Sequence, residues 1–171
     1  MTAIVYERPD GGVSILRLVP LEKVRGPALD RFSEWLLTRV PGPVPVETLG
    51  QHWLDYIMDK DVPRDAMNAR VVDDADIPTD RTFRDALTVR LDYDMAKARD
   101  IWRDKIRVAR APKLATLDIE YQRADEAADA KAKVDIATAK QALRDATADP
   151  AIEAAATCAE LKAVWPAALK D

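Results

Sequence analysis

The chain has 171 residues, 48% of them apolar and 33% charged. That is enough for one ordinary domain, or for a small domain with a helical appendage, and it excludes two full enzyme domains and wholesale disorder. The 26 Lys and Arg against 30 Asp and Glu leave a net charge of −4, so no global field favours nucleic acid and any such binding must be local.

Residues 2–7 (TAIVYE) and 13–18 (VSILRL) are rich in β-branched and aromatic side chains and are separated by Arg8-Pro9-Asp10-Gly11-Gly12. Glycine supplies the positive φ of a tight reversal, and the pattern predicts a β-hairpin. Gly26-Pro27 opens a helix with Leu29, Phe32, Trp35, Leu36 and Val40 at helical spacing, stopped by the stiff run Pro41-Gly42-Pro43-Val44-Pro45. A second helix is expected over 47–60, with Leu49, Trp53, Tyr56 and Ile57 on one face. A third strand is expected over 68–72, ended by Asp73, Asp74, Asp76 and Ile77-Pro78. That acidic run lacks the glycine and distal Glu of a calcium loop and reads as solvated surface. Together these make a small α+β domain over 1–90.

Residues 91–171 read as helical. No glycine follows Gly50, and alanine supplies 14 of the 33 residues from 124 to 156, a composition of high helix propensity. Asp94 can cap the first helix, whose stripe is Met95, Ala98, Trp102, Ile106 and Ala109. Pro112 lacks an N–H and crowds the carbonyl of Val108, which predicts a break or kink. The stripes Leu114, Leu117, Tyr121, Ala124, Ala128 and Ala132, Ile136, Ala139, Leu143, Ala146 predict two arms of a helical hairpin turning near Asp129. One continuous rod over 94–147 is the alternative, since 125–135 holds no strong turn residue. Either arrangement has a weak, small-residue stripe, so oligomerisation or docking on another protein is expected. At the C-terminal end, Asp149-Pro150 starts a short helix, and Thr157 to Glu160 fits a capping box.

No catalytic, cofactor or metal site is expected. His52 stands beside Trp53 in a helix with no orienting partner, and Ser14 and Ser33 lack the glycine-flanked elbow of a hydrolase. The lone Cys158 lies in a helix cap and with His52 falls short of a zinc ligand set. With no long apolar window and no basic leader, a cytoplasmic protein without a membrane contact is expected. Two segments are candidates for partner binding. Over 97–113, basic residues outnumber acidic ones seven to two, and Arg99, Arg103, Arg107 and Arg110 share a sector opposite Trp102; this row suits an acidic protein surface or phosphates. The plainer reading is a solvated face, with the acidic residues of 55–80 as an internal counterpart. The segment 76–86 places Arg81, Phe83 and Arg84 between strand and helices, either as a linker whose Phe83 plugs the small core or as a docking surface. Trp165, so near the C-terminal end, is expected to fold back or to join a contact.

The hairpin IVYERPDGGVSI, the segment DDADIPTDRTFRDA, the helix DMAKARDIWRDKIR and the run KQALRDATADPAIEAAATCAELKAVWP resemble a group of phage- and prophage-encoded, tail-associated proteins of α-proteobacterial type. The likeness covers most of the chain outside about 20–60. More loosely, the chain is similar to tail-fibre assembly proteins through Lys140-Gln141-Ala142-Leu143-Arg144, although Thr147, Pro150 and a late Trp165 stand in place of that family's usual Thr-Asp-Trp ending. The resemblance implies a non-enzymatic assembly or structural role. Its implied partners are phage tail or fibre proteins and further copies of itself, in the host cytoplasm during assembly or in the virion. A DNA-associated accessory protein and a generic protein-binding adaptor are the alternatives.

Overall fold

A computed structural model describes residues 1–170 as an α+β chain with two compact units, one of Met1–Thr82 with Leu87–Asp92 and one of Phe83–Ala86 with Tyr93 onward. In the first unit, β1 (Thr2–Glu7) lies at the centre of an antiparallel sheet of order β2-β1-β3, with β2 (Val13–Arg17) and β3 (Met67–Asp73) as its edges. Gly11, at φ 76°, makes the hairpin reversal that its sequence predicts. Alternation along β1 sends Ile4 to one face and Ala3 and Val5 to the other. All three are fully buried, so both faces of the sheet are covered. On the Ile4 face, α1 (Pro27–Arg39) and α2 (Leu49–Asp61) contribute Phe32, Trp53, Tyr56 and Ile57. Phe32 meets Trp53 edge-on at 5.1 Å, and the Trp53 indole N–H donates to the carbonyl of Val19 at 3.0 Å. Few aromatic residues thus cover a large apolar area because they are gathered in one knot. The opposite face packs Ala3, Val5 and Val72 against Ile77, Val89 and Leu91.

The second unit is built on α3 (Met95–Glu126), which Asp94 caps by accepting from the N–H groups of Ala96 and Lys97. The helix runs through Pro112 without the expected break. Pro112 is exposed, so the Val108 carbonyl it leaves without an intrahelical donor is open to water, and the proline costs less there than in a core. The chain then reverses, and α4 (Ala130–Asp145) returns antiparallel to α3; the hairpin forms and the rod does not. The reversal is a Schellman turn without glycine: Asp129 N–H donates to the Ala124 carbonyl and Ala128 N–H to the Asp125 carbonyl, with Ala128 left-handed at φ 54°. Asp129 also accepts from Ala132 N–H, so one residue closes α3 and caps α4.

Register along the arms is set by charge as much as by packing. Tyr121 lies between Lys133 and Lys140, whose ammonium groups sit 5.6 and 5.3 Å from its ring centre. Each lysine also pairs with a carboxylate one heptad apart on α3, Lys133 with Asp125 and Lys140 with Asp118. A shift of either arm would break both pairs at once. Hydrogen bonding to Asp125 holds the Lys133 ammonium above its ordinary pKa.

Two short helices follow, α5 (Pro150–Ala154) and α6 (Cys158–Ala163), with a terminal 3-10 turn over Ala167–Leu169. The Thr157 hydroxyl accepts from Glu160 N–H as the sequence predicts, but the Glu160 carboxylate reaches the N–H of Ala156, one residue upstream of the reciprocal partner. Ile152, Leu161 and Leu169 close over Ala98, Trp102 and Ile106 of α3. Phe83, 1% exposed, belongs to this core and not to that of the sheet unit. It sits 5.8 Å from the Trp102 ring and 6.3 Å from that of Tyr93. Phe83→Ala is expected to cost about 3–5 kcal/mol, read as the urea midpoint of the Trp102 and Trp165 fluorescence. Ala128→Gly, which relieves the left-handed alanine, is expected to raise stability by about 0.5–1 kcal/mol in the same assay.

Candidate protein-binding surface

Helix C-termini leave carbonyls that their own helix cannot satisfy, and side chains of α3 reach those of the segments that follow. The Arg110 guanidinium donates to the carbonyls of Leu143 and Arg144 at 3.1 and 2.7 Å, at the end of α4. Arg99 donates to Ile152 and Ala155 at 3.2 and 3.0 Å, at the end of α5. Lys113 donates to Ala168 at 3.1 Å, and the Trp102 indole N–H to Val164 at 2.8 Å. Arg103 pairs with Glu153 on α5 and, at 3.1 Å, with Asp100. The hydrogen bond to Glu153 holds its guanidinium above the ordinary arginine pKa. Cations at helix C-termini also meet the negative end of the helix dipole.

The expected partner-binding row is therefore largely committed inside the fold. Arg99, Arg103 and Arg110 are part of how the C-terminal segments attach to α3, with partners in 143–155 and, for Arg103, also Asp100 on α3 itself. Of the four arginines, only Arg107 stands mostly in solvent, 52% exposed and paired with Asp104 at 2.5 Å. Trp102 is buried, and Trp165 folds back onto it at 5.3 Å between ring centres. Phe83 plugs a core, so the docking role expected for it finds no exposed side chain. Arg81 and Arg84 flank it in sequence and are exposed, Arg81 in the sheet unit and Arg84 in a 3-10 turn of the helical unit.

The open surface of the helical unit lies elsewhere. Between α3 and α4 is a groove of about 330 Å³ walled by Leu117, Ala139, Ala142, Leu143 and Ala168, with Lys113, Thr116 and Glu120 at its rim. It exists because Ala139 and Ala142 of α4 and Ala168 are too small to fill the space opposite Thr116, Leu117 and Glu120 of α3. Beside it, the solvent face of α3 carries Val108 (75% exposed), Pro112, Ala115 and Ile119 (52% exposed), at i, i+4, i+7 and i+11. That stripe was present in the sequence as a helical repeat, but the core stripe through Trp102 and Ile106 drew the reading of this helix. A second hollow, of about 350 Å³, lies in the sheet unit beside Tyr6, Pro9 and Pro63, where Arg8 and Asp10 pair with each other at 3.1 Å.

No set of three or more His, Cys, Asp or Glu among the described residues could hold a metal ion. No helix among the described residues is long and apolar enough to cross a membrane. Comparison with family models, with curated proteins and with solved structures finds no match for the chain. Because Arg110 serves two carbonyls and Arg107 makes an exposed ion pair, the two arginines should differ in worth. Arg110→Met is expected to cost about 1–2 kcal/mol and Arg107→Met less than about 0.5 kcal/mol in urea denaturation.

Proposed function

We propose that the protein is a non-enzymatic phage tail or tail-fibre assembly or structural protein that works by binding other proteins through its helical unit. The observation that carries the binding part of this reading is the apolar groove between α3 and α4, continued by the uncovered stripe Val108 to Ile119. Exposed apolar surface of this kind, set among polar residues, is what protein contacts use. The phage-tail part rests on the sequence resemblance, carried by the N-terminal hairpin, the 73–86 segment, the 94–107 helix and the run 140–166.

The alternative of a DNA-associated accessory protein loses its main support, because Arg99, Arg103 and Arg110 donate to groups of their own chain. A generic adaptor would use the same groove. The test is mass spectrometry of purified particles together with affinity purification of the tagged protein from phage-producing cells. A structural component is expected in the particles. An assembly factor is expected to co-purify with a tail or fibre protein from the host cytoplasm and to be absent from the particles. Absence from particles together with no tail or fibre protein in the purified complex overturns the proposal.

A further inference from the structure

We propose that the outer edge of β2 pairs with the same edge of a second copy of this chain, antiparallel and centred on Ile15, so that two three-stranded sheets join into one. Antiparallel strands alternate residue pairs that exchange both hydrogen bonds with pairs that exchange none. The Arg8 N–H donates to the Gly12 carbonyl at 2.7 Å and the Leu18 N–H to the Thr2 carbonyl at 3.0 Å. In the same register Ser14 bonds to Tyr6 and Leu16 to Ile4. Val13, Ile15 and Arg17 therefore turn their N–H and C=O groups away from β1, and no other backbone group among the described residues bonds to them.

Sheet edges are commonly guarded by charge, proline or a bulge. The edge at β3 is guarded: Asn68 is left-handed at φ 54° where the pairing slips between Val5 and Glu7, and Arg70 and Asp73 are charged. From Val13 to Leu16, β2 carries none of these, and all four side chains are half-buried. A copy of β2 fits this edge. With the pairing centred on Ile15, Ile15 faces Ile15, Val13 faces Arg17 and Ser14 faces Leu16. Every outward N–H and C=O then finds a partner and no like charges are opposed. The one charge in the strand, Arg17, is already held by Asp74 at 2.5 Å. Beyond Arg17 the edge is closed by α2, whose Trp53 indole N–H donates to the Val19 carbonyl. There the same register brings up Gly12 and Gly11 of the second copy, which have no side chains to collide with it. The contact is two-fold, one patch serving both copies.

The test uses the full-length protein. Sedimentation equilibrium from about 10 μM to about 1 mM is expected to show a reversible monomer–dimer equilibrium, because a single strand pair is smaller than a standard interface. Over that range the amide exchange of Val13, Ile15 and Arg17 is expected to slow by about tenfold or more, while Ser14 and Leu16 are protected throughout. Ile15→Pro removes an N–H that β1 does not use, at an outer edge where proline is tolerated, and is expected to weaken dimerisation by about tenfold or more with the circular dichroism unchanged. Should that variant fail to fold, the exchange of the unaltered chain decides. A monomer at every concentration, a dimer that survives Ile15→Pro, or protection that arises at Val71 and Asp73 instead of β2 overturns the proposal. None of these outcomes bears on whether the protein is found with tail or fibre proteins, so the broader reading stands or falls separately.

Discussion

A short helix ends in carbonyl groups that it cannot satisfy, and a helix of five or six residues consists mostly of ends. α5 and α6 are of that kind, and neither would persist in water by itself. What holds them is the row of donors on α3, where Arg99, Trp102, Arg110 and Lys113 each reach a carbonyl in 143–168. Beneath those hydrogen bonds, Ile152 and Leu161 bury fully against Ala98 and Ile106. The apolar contact supplies most of the driving force, and the donors fix which carbonyl sits where. Arg99, Trp102 and Arg110 precede Pro112 and Lys113 follows it, so the passage of α3 through Pro112 keeps the last of these donors in line with the first three.

The hairpin solves a different problem. Alanine-rich arms bury little area per residue, so packing alone would leave their register weakly determined. The ladder of Asp118, Tyr121 and Asp125 against Lys140 and Lys133 supplies that register, because both pairs form together in one alignment only. Exposed ion pairs contribute little to stability individually, but two of them one heptad apart, sharing a ring between their cations, discriminate between alignments even where their net energy is small. The space left between the arms is the remainder of the same choice. Where Ala139 and Ala142 of α4 face the longer side chains of α3, the surface stays concave.

Much of the fold was legible because its signals are local. The hairpin around Gly11, the caps at Asp94, Asp129 and Asp149, the third strand and the two-armed helix each follow from a few neighbouring residues. The features that escaped depend on surroundings that sequence does not display. Pro112 reads as a breaker, yet it lies on an exposed face of α3 where its missing hydrogen bond can be left to water. The reversal at Ala128 carries no glycine, because the Schellman hydrogen bonds and the Asp129 cap hold an alanine left-handed. Arg99, Arg103 and Arg110 share a helical sector, which suggested an outward face, but which sector is outward is decided by where 146–170 comes to rest. The stripe from Val108 to Ile119 was visible as a repeat and was overshadowed by the larger side chains of Trp102 and Ile106 on another face of α3.

Phe83 and Ala86 belong to the helical core, whereas Val89 and Leu91 cover a face of the sheet. The polypeptide thus passes from one unit to the other three times within about a dozen residues, where a conventional linker would pass once. Severing it before Phe83 strips the sheet of its Val89–Leu91 cover, and severing it after Asp92 takes the phenylalanine from the helices. No single cut in the chain therefore separates the two units whole.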